Sequence, residues 1–354
     1  MKITFIVPSL KSGGLERVAT VIANYGAKCY SITLISLDSK PSFYQICNKV
    51  SLVLTPNKIA NQNKLYRFFL TGFWLRNVVK NQQPNIICSF GEKYNPFVLL
   101  FLLGLKIPVF VANRTSPLSS IKGLYGRINP TAYKFAAGVI LQTKQSINIL
   151  EGKYDLKRVA VIGNPVEINF AQDKRENIIL NVGSIGGNKN QNLLIHYFSE
   201  LNTQNWKLIF AGDGPLMKKC LAMSEELGCQ EKIDFLGIVK DVKRLYSKSA
   251  IFAFTSTLEG FPNALAEAMA AGCACISFDC VAGPSDIIDD GINGILIPVG
   301  NDTLYKEKLQ LLMEDQGLRE RFSIAAKEKM NQFEASYISN KFYNFITEEV
   351  ENSN

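Results

Sequence analysis

Two glutamates, Glu259 and Glu267, have the types and the spacing expected of a ligand-binding pair. They stand eight positions apart, and the segment between them contains Gly-Phe-Pro-Asn at 260–263. A run of strong helix formers follows at 264–271, the proline suits a helix start, and Gly272 suits the helix end. The sequence therefore predicts that Glu259 lies in a loop before a helix and that Glu267 lies about one turn inside it.

The predicted helix start between these glutamates has the chemistry of an anion site. Its first N–H groups lack acceptors inside the helix, and the helix dipole gives this end a partial positive charge. Carboxylate oxygens on both sides can accept hydrogen bonds from hydroxyl groups. A phosphate beside hydroxyl-rich groups is what a sugar nucleotide presents, so the pattern predicts a sugar-nucleotide site.

The glutamate pair resembles the signature of the retaining glycosyltransferases of family 4, which have the GT-B fold. Further segments resemble that family in the family's own order, and they point to the enzymes that build bacterial cell-surface polysaccharides. The resemblance covers the chain from about residue 4 to about residue 300, and it rests on all of the segments together. The matching segments are 12–17, 164–166, 181–184 with 189–190, 211–215, 235–237 and 259–272.

The resemblance implies roles for individual residues. Glu259 is the expected sugar-binding and catalytic glutamate, and Lys189, also expected to be catalytic, would neutralise the diphosphate leaving group. Glu267 would accept two hydrogen bonds from a ribose diol. The expected donor-binding residues are Gly13, Gly14, Gly183, Ser184, Lys189, Gly212, Gly214, Gly260, Phe261, Pro262, Asn263, Ala264 and Glu267.

Several positions depart from the family pattern or extend it. Ser184 stands where many members have an arginine, so a second cation for the diphosphate has to come from elsewhere. Arg114 and the amides of the helix start are the alternatives. Glu92 and Arg114, at predicted strand ends, are the expected acceptor-side contacts. The single histidine, His196, lies in an apolar helical segment and is expected to be structural rather than catalytic.

No metal and no cofactor are expected. The family pattern needs no D-x-D metal motif, and the sequence has none. A single histidine and eight scattered cysteines fit free thiols in a reducing compartment better than a metal site or a disulfide framework. The glycines at 13 and 14 do not form a G-x-G-x-x-G motif, which disfavours a nicotinamide dehydrogenase. The resemblance implies metal-independent transfer.

Apolar runs of strand length alternate with helical segments, which predicts an α/β protein with parallel sheets. Two such series predict the GT-B architecture of two Rossmann-like, doubly wound domains facing a central cleft, with ligands beyond the carboxyl ends of the strands. The predicted strands lie at 2–7, 31–37, 50–54, 85–89, 108–112, 137–142, 158–162, 178–182, 207–211, 233–236, 250–254, 274–277 and 294–297.

The two series also predict the domain ranges. Residues 1–168 form the predicted acceptor-side domain, and residues 169–330 form the predicted nucleotide-sugar-binding domain, with a polar linker at 167–176. By the resemblance, residues 331–354 contain a final helix, at about 335–350, that crosses back onto the first domain.

The charge is divided unevenly along the chain. Residues 1–170 contain 21 Lys and Arg but 6 Asp and Glu, whereas residues 171–354 contain 18 and 25, so the formal charges are +15 and −7. A strongly basic first domain predicts an anionic partner, and an anionic membrane surface is the partner we expect. The segment 58–80 mixes basic residues with aromatic ones, which fits an interfacial amphipathic helix. A helix that buries its aromatic residues in the core is the alternative.

Together these features predict a glycosyltransferase that uses a nucleotide sugar, and the basic first domain suggests a lipid-diphosphate-linked saccharide as acceptor. The resemblance implies transfer with retention, and it implies a hexose or an N-acetylhexosamine as the sugar and UDP as the nucleotide. Such a reaction fits O-antigen, capsule or exopolysaccharide assembly at the inner face of the cytoplasmic membrane. No apolar run reaches the about 20 residues of a spanning helix, and the first residues fit a strand better than a signal peptide. No nucleic-acid partner is expected. A sugar-nucleotide epimerase of the same fold and a non-catalytic binding protein are the alternatives.

Overall fold

The computed structural model describes residues 1–156, 158–171 and 173–351 of the 354-residue chain. The chain forms two units, one of Met1–Pro165 together with the segment that begins at Ala335, and one of Val166–Glu334. The first unit ends at Pro165, three residues before the predicted boundary at 168. The second unit ends at Glu334, four residues after the predicted boundary at 330. Residue 172 of the predicted linker and residues 352–354 of the predicted terminal range lie outside the described residues.

The first unit is built on a parallel sheet. In its described part, seven strands lie in the order β3-β2-β1-β4-β5-β6-β7. The central strands are apolar and buried, as expected for a parallel sheet with helices on both faces. The elements are β1 (Lys2–Val7), α1 (Gly14–Gly26), β2 (Ser31–Ser36), β3 (Ser51–Leu54), α2 (Asn57–Ala60), α3 (Lys64–Gln82), β4 (Ile86–Phe90), α4 (Asn95–Leu102), β5 (Val109–Ala112), α5 (Pro117–Ser120), α6 (Gly123–Ala132), β6 (Gly138–Leu141), α7 (Lys144–Glu151) and β7 (Val159–Val161).

The second unit repeats this plan. Its described part contains a sheet of six parallel strands in the order β10-β9-β8-β11-β12-β13. The elements are β8 (Glu176–Val182), α8 (Gln191–Glu200), β9 (Lys207–Ala211), α9 (Met217–Glu226), β10 (Ile233–Phe235), α10 (Val242–Lys248), β11 (Ser249–Phe254), α11 (Asn263–Ala271), β12 (Ala274–Asp279), α12 (Pro284–Ile287), β13 (Ile295–Pro298), α13 (Asp302–Glu314) and α14 (Gln316–Met330). The final helix, α15 (Ala335–Glu351), belongs to the first unit.

The helix α15 packs on the first unit through aromatic side chains. The hydroxyl of Tyr343 donates a hydrogen bond to the carbonyl of Ile22 in α1 (2.8 Å), and the ring of Phe342 meets the ring of Phe5 in β1 (centroids 5.8 Å apart). Gly26, at the end of α1, makes room for the Tyr343 ring, because a Cβ atom there would collide with it. The final helix is therefore part of the core of the first unit.

The predicted α/β class is confirmed. Every predicted strand is present, and each end lies within two residues of its predicted position. In both sheets the strand order reverses beside the first strand of the unit, between β1 and β4 and between β8 and β11. Such a reversal opens a crevice beyond the carboxyl ends of the two strands, where ligands bind in doubly wound folds. Within the described part of the chain, no helix is both long enough and apolar enough to cross a membrane.

Candidate functional site

The loops that follow β8 and β11 meet at the reversal point of the second sheet. Two hydrogen bonds join them: the Thr255 hydroxyl donates to the carbonyl of Lys189 (2.8 Å), and the N–H of Thr257 donates to the carbonyl of Asn188 (2.9 Å). Asn190, which precedes α8, adopts the left-handed conformation (φ 51°) and lets the chain turn into that helix. The backbone therefore holds the Lys189 segment in a fixed position beside β11.

An ion pair joins Lys189 and Glu259 across these two loops. The Lys189 ammonium lies 2.5 Å from Glu259 Oε1, with 27% of the lysine side chain and 10% of the glutamate side chain exposed. The same ammonium lies over the ring of Phe254, the last residue of β11, at 5.5 Å from its centroid. The two residues that were predicted to be catalytic are thus in direct contact, although 70 positions separate them in the sequence.

Helix α11 begins at Asn263 without a side-chain cap. Its N-cap residue is Pro262, which makes no side-chain capping hydrogen bond, and the N–H of Asn263 donates to the carbonyl of Phe261 (2.9 Å). Gly272 ends the helix in the left-handed conformation (φ 85°), as predicted. Glu267 lies one turn inside the helix and is half-buried. An uncapped helix start beside Glu259 and Lys189 is suited to a phosphate.

The residues between the two glutamates divide into two kinds. Phe261 is 5% exposed and packs against Phe333 (centroids 5.8 Å apart), so its side chain belongs to the core of the second unit. Pro262 is also buried, whereas Gly260, Asn263 and Ala264 are half-buried. Phe261 can therefore meet a donor only through its backbone. The predicted donor contacts of this segment stay predictions.

Two predicted donor-site glycines of the second unit, Gly212 and Gly214, have a packing role that the sequence did not reveal. Gly212 (φ 149°) lies against the carbonyl of Gly183, and Gly214 lies against the carbonyl of Ile185, so a Cβ atom at either position would collide with backbone. The N–H of Gly183 donates to the carbonyl of Ala211 (3.0 Å). These close contacts fix the loop after β8 against the loop after β9. Ser184 is exposed in the first of these loops.

In the first unit, Gly13 and Gly14 stand where α1 begins. Gly13 is the N-cap residue, in an extended conformation, and Gly14 is the first helical residue. The Tyr44 hydroxyl donates a hydrogen bond to the carbonyl of Gly13 (3.1 Å). Its oxygen is also within hydrogen-bond distance of the Gly13 nitrogen (3.2 Å), whose N–H can donate to it. Tyr44 was not among the predicted site residues, because no local sequence pattern links it to a loop 31 positions away.

Glu92 and Arg114, the predicted acceptor-side residues, are in contact but buried. Glu92 Oε2 accepts a hydrogen bond from the Arg114 backbone N–H (3.2 Å). The Arg114 guanidinium donates through Nη1 to the carbonyl of Ile162 and to Asn164 Oδ1, both at 3.1 Å. Gln142 donates to the same Asn164 oxygen (2.9 Å). Arg114 therefore anchors the segment after β7 within its own unit. Its predicted role as a second cation for the donor diphosphate did not lead us to expect this contact.

Burial governs the electrostatics of this network. It raises the pKa of Glu92, against the lowering effect of hydrogen bonds from backbone N–H groups, and it lowers the pKa of Arg114 to about 10. Glu92 Oε1 and the Nε and Nη2 atoms of Arg114 are buried and have no hydrogen-bond partner among the described residues. These atoms are shielded from solvent, so the acceptor-side role of Glu92 and Arg114 stays a prediction.

The histidine and the cysteines lie where the sequence predicted no catalytic or metal-binding role for them. His196 is exposed and lies 3.2 Å from Glu200 one turn later in α8, which agrees with a structural histidine. The eight cysteines are free thiols. Among the described residues, no three His, Cys, Asp or Glu side chains cluster in a way that could hold a metal ion, and metal independence stays a prediction.

Comparison with known proteins agrees with this geometry. The family model of the "Glycosyl transferases group 1" matches residues 167–329, which is the second unit with its strand-end loops. The GalNAc-alpha-(1->4)-GalNAc-alpha-(1->3)-diNAcBac-PP-undecaprenol alpha-1,4-N-acetyl-D-galactosaminyltransferase of Campylobacter jejuni is 28% identical over 98% of this chain and 99% of its own length. The amylovoran biosynthesis glycosyltransferase AmsD of Erwinia amylovora is 27% identical over 95% of this chain and 96% of its own length.

Solved structures share the fold along the whole chain. The lipopolysaccharide outer core galactosyltransferase WaaB, in its apo form, superposes with a TM-score of 0.79 at 20% identity and covers 99% of this chain and 100% of its own. HepE of Anabaena in complex with UDP superposes with a TM-score of 0.82 at 18% identity and covers 98% and 100%. These structures confirm the predicted GT-B fold, and the family model with the two sequence relatives confirms the resemblance to bacterial polysaccharide glycosyltransferases.

Proposed function

We propose that this chain, whose residues 167–329 belong to the group 1 glycosyl transferases, is a retaining glycosyltransferase that uses a nucleotide sugar as donor. The observation that carries the proposal is the ion pair of Lys189 and Glu259 beside the uncapped start of α11. A diphosphate needs cations and N–H donors, and a sugar needs hydroxyl acceptors, so this small region supplies both kinds of partner.

In the proposed complex the donor diphosphate lies at the start of α11. Lys189 turns from Glu259 to the diphosphate, and its charge compensates the negative charge that develops as the sugar leaves. Glu259 then accepts hydrogen bonds from the hydroxyls of the hexose or N-acetylhexosamine. Glu267 binds the ribose diol through its two carboxylate oxygens. UDP is the proposed nucleotide, because the fold relative HepE has been solved with UDP.

The configuration at C1 is retained if the bond to the diphosphate breaks and the bond to the acceptor forms on the same face of the sugar. The C1–O bond to the diphosphate breaks, the acceptor oxygen attacks C1 from the same side, and a diphosphate oxygen takes the acceptor proton. The protein binds the reactants, orients them and stabilises the leaving charge, and no side chain forms a covalent bond. No metal or cofactor takes part in this proposal, because Lys189 and the α11 amides supply the positive charge.

The proposed acceptor is a lipid-diphosphate-linked saccharide. The Campylobacter relative acts on an undecaprenol-diphosphate-linked saccharide by its name, and the Erwinia relative takes part in amylovoran biosynthesis. Glu92 and Arg114 keep unused hydrogen-bonding atoms that acceptor hydroxyls could satisfy. These similarities support the proposal that the enzyme acts in surface polysaccharide assembly, in the cytoplasm at the inner face of the membrane.

Thermal unfolding with UDP, GDP and ADP tests the donor site. UDP should raise the midpoint, because a ligand that binds only the folded protein stabilises it by mass action, and GDP and ADP should raise it less. Glu267→Gln should abolish the rise, whereas Glu226→Gln, at an exposed position in α9, should preserve it.

The reaction product separates the proposal from its alternatives. Incubation with a UDP-sugar and a lipid-linked acceptor should give a glycosylated lipid and free UDP. An altered sugar formed without acceptor would instead indicate an epimerase, and the absence of any nucleotide effect would indicate a non-catalytic binding protein.

A further inference from the structure

The described residues offer no substitute partner to either member of the Lys189–Glu259 ion pair. Among them, Lys189 is the only group that donates a hydrogen bond to the Glu259 carboxylate, and Glu259 is the only carboxylate that pairs with Lys189. Two neighbours carry no charge. The Phe254 ring lies under the ammonium, and burial, with the nearby charge of Glu259, raises the pKa of the Cys280 thiol to about 12, so this thiol is neutral.

The backbone of this site is fixed, so a ligand acts mainly on its side chains. The hydrogen bonds from Thr255 and Thr257 to the Lys189 loop hold the two strand-end loops together. The lysine ammonium, by contrast, stands on a flexible stem and can turn to a new acceptor. Glu259 has less access to water, because its side chain is 10% exposed. A ligand that takes Lys189 must therefore give the Glu259 carboxylate a new partner or leave it unpaired.

We propose that Glu259 and the donor diphosphate compete for Lys189, and that the site for this reason holds an intact nucleotide sugar more tightly than the free nucleotide. The inference rests on the proposed function and adds how the same site distinguishes its substrate from its product. An intact donor takes Lys189 with its diphosphate and offers sugar hydroxyls to Glu259, so every charge keeps a partner. Free UDP takes Lys189 as well, but it leaves the carboxylate unpaired and brings further negative charge beside it.

The competition favours release of the product. While the sugar is attached to the nucleotide, its hydroxyls occupy Glu259, and Lys189 stays on the diphosphate. Transfer moves the sugar to the acceptor, so Glu259 loses these hydrogen bonds and draws the ammonium back. UDP then loses the cation that held its diphosphate, and it dissociates faster. Product release limits the turnover of many enzymes, so a carboxylate that weakens product binding speeds the cycle.

Isothermal titration calorimetry of the full-length protein with UDP and with uridine tests the competition. Glu259→Gln keeps the shape of the side chain but removes the charge that holds Lys189. It should tighten UDP binding about tenfold, because a partly buried ion pair is worth more than an exposed one and less than a fully buried one. The affinity for uridine, which has no phosphate, should change by less than about twofold. Misfolding cannot explain a gain of affinity.

A matched variant controls for net charge. Glu176→Gln removes the same charge from the pair of Glu176 and Lys248 (2.8 Å), which lies at the amino ends of β8 and β11. Its UDP affinity should stay within about twofold of the wild type, because salt screens charges at the other end of the strands. Equal gains in both variants would show that lower negative charge alone helps UDP to bind. That result, or an unchanged UDP affinity in Glu259→Gln, would overturn the inference.

A double-mutant cycle separates competition from direct repulsion between Glu259 and the phosphates. In a Lys189→Ala background there is no ammonium to compete for, so Glu259→Gln should change the UDP affinity by less than about twofold. A tenfold gain that persists in this background would mean that Glu259 acts on the phosphates directly, and the proposed competition would be wrong.

Intact donors complete the comparison. Among UDP-glucose, UDP-galactose and their N-acetyl derivatives, at least one should bind the wild type more tightly than UDP does. In Glu259→Gln this preference should fall by at least about tenfold, because the charged acceptor of the sugar hydroxyls is lost while UDP binds better. If the wild type binds UDP but prefers none of these donors to it, the inference fails and the UDP site stands. If the wild type binds neither UDP nor any UDP-sugar, the proposed function fails, and the inference fails with it.

Discussion

The reversal points of the two sheets share a topology but differ in how their polar groups are used. In the second unit the lysine and glutamate at the strand ends pair with each other, the loops bond to one another, and the exposed fractions are 27% and 10%. In the first unit an open pocket of about 740 Å³ beyond β1 and β4 is lined by five cations. Among the described residues only Lys11 forms a close ion pair there, with Asp38 (3.2 Å), while Lys40 and Lys93 interact at longer range with Asp38 and Glu92. A paired and fixed site suits a small ligand of constant shape, whereas an open cationic site suits a flexible charged headgroup.

The largest expected effect concerns the paired site. Lys189→Ala should lower the transfer rate constant by about 10²–10³-fold, the usual cost of losing one group that stabilises a leaving charge. Lys248→Ala is the matched control, because this lysine also pairs with a glutamate (Glu176, 2.8 Å) but lies at the amino ends of β8 and β11, away from the carboxyl ends that carry the paired site. Steady-state kinetics with a UDP-sugar and a lipid-linked acceptor measures both. Similar rates for the two variants would show that the ion pair at the reversal point of the second sheet has no special role in transfer.

A smaller effect concerns the loops that hold the paired site. Gly212→Ala should lower the free energy of unfolding by about 2 kcal/mol, because alanine strains a φ of 149° and its Cβ meets the Gly183 carbonyl. Gly187→Ala meets nothing within 4 Å and should change stability by less than about 0.5 kcal/mol. Urea denaturation of both variants gives the comparison. Equal free energies of unfolding would mean that the contact of Gly212 with the Gly183 carbonyl does not constrain the loops that hold the paired site.

The smallest effect concerns the buried network of the first unit. Burial raises the pKa of Glu92, so the folded protein retains a proton that the unfolded chain releases. Stability from this group is therefore lost as pH rises from the ordinary glutamate value through the raised one. Glu92→Gln should flatten that decline at pH values above the ordinary glutamate pKa of 4.5. The exposed Glu226→Gln, measured by denaturation at the same pH values, should leave the slope unchanged.

Sequence patterns were sufficient to locate the elements that depend mainly on interactions between residues close together in the sequence. Apolar runs of strand length located the strands to within two residues, and the helix formers between Pro262 and Gly272 located α11. The contact of Lys189 with Glu259 depends on β8 lying beside β11, and strand order is not a local property. The resemblance supplied the two residues, but only the fold brings them together.

Side-chain direction was the part that sequence could not give. Phe261 lies in the expected segment but points into the core, and Arg114 lies at a strand end but turns inward to Asn164. The mixture of basic and aromatic residues in α3 fits a core helix and an exposed one equally well. Only packing against α4 decides that Phe69 and Phe73 stay exposed.

The return of α15 to the first unit has a consequence for how the protein is made. The second unit is inserted within the first, and its two ends are neighbours, because the N–H of Val166 donates to the carbonyl of Phe333 (2.8 Å). On the ribosome, residues 166–334 emerge before the helix that completes the core around Phe5. We therefore expect the inserted unit to acquire protease resistance first during synthesis, while the earlier-made unit waits for its last helix.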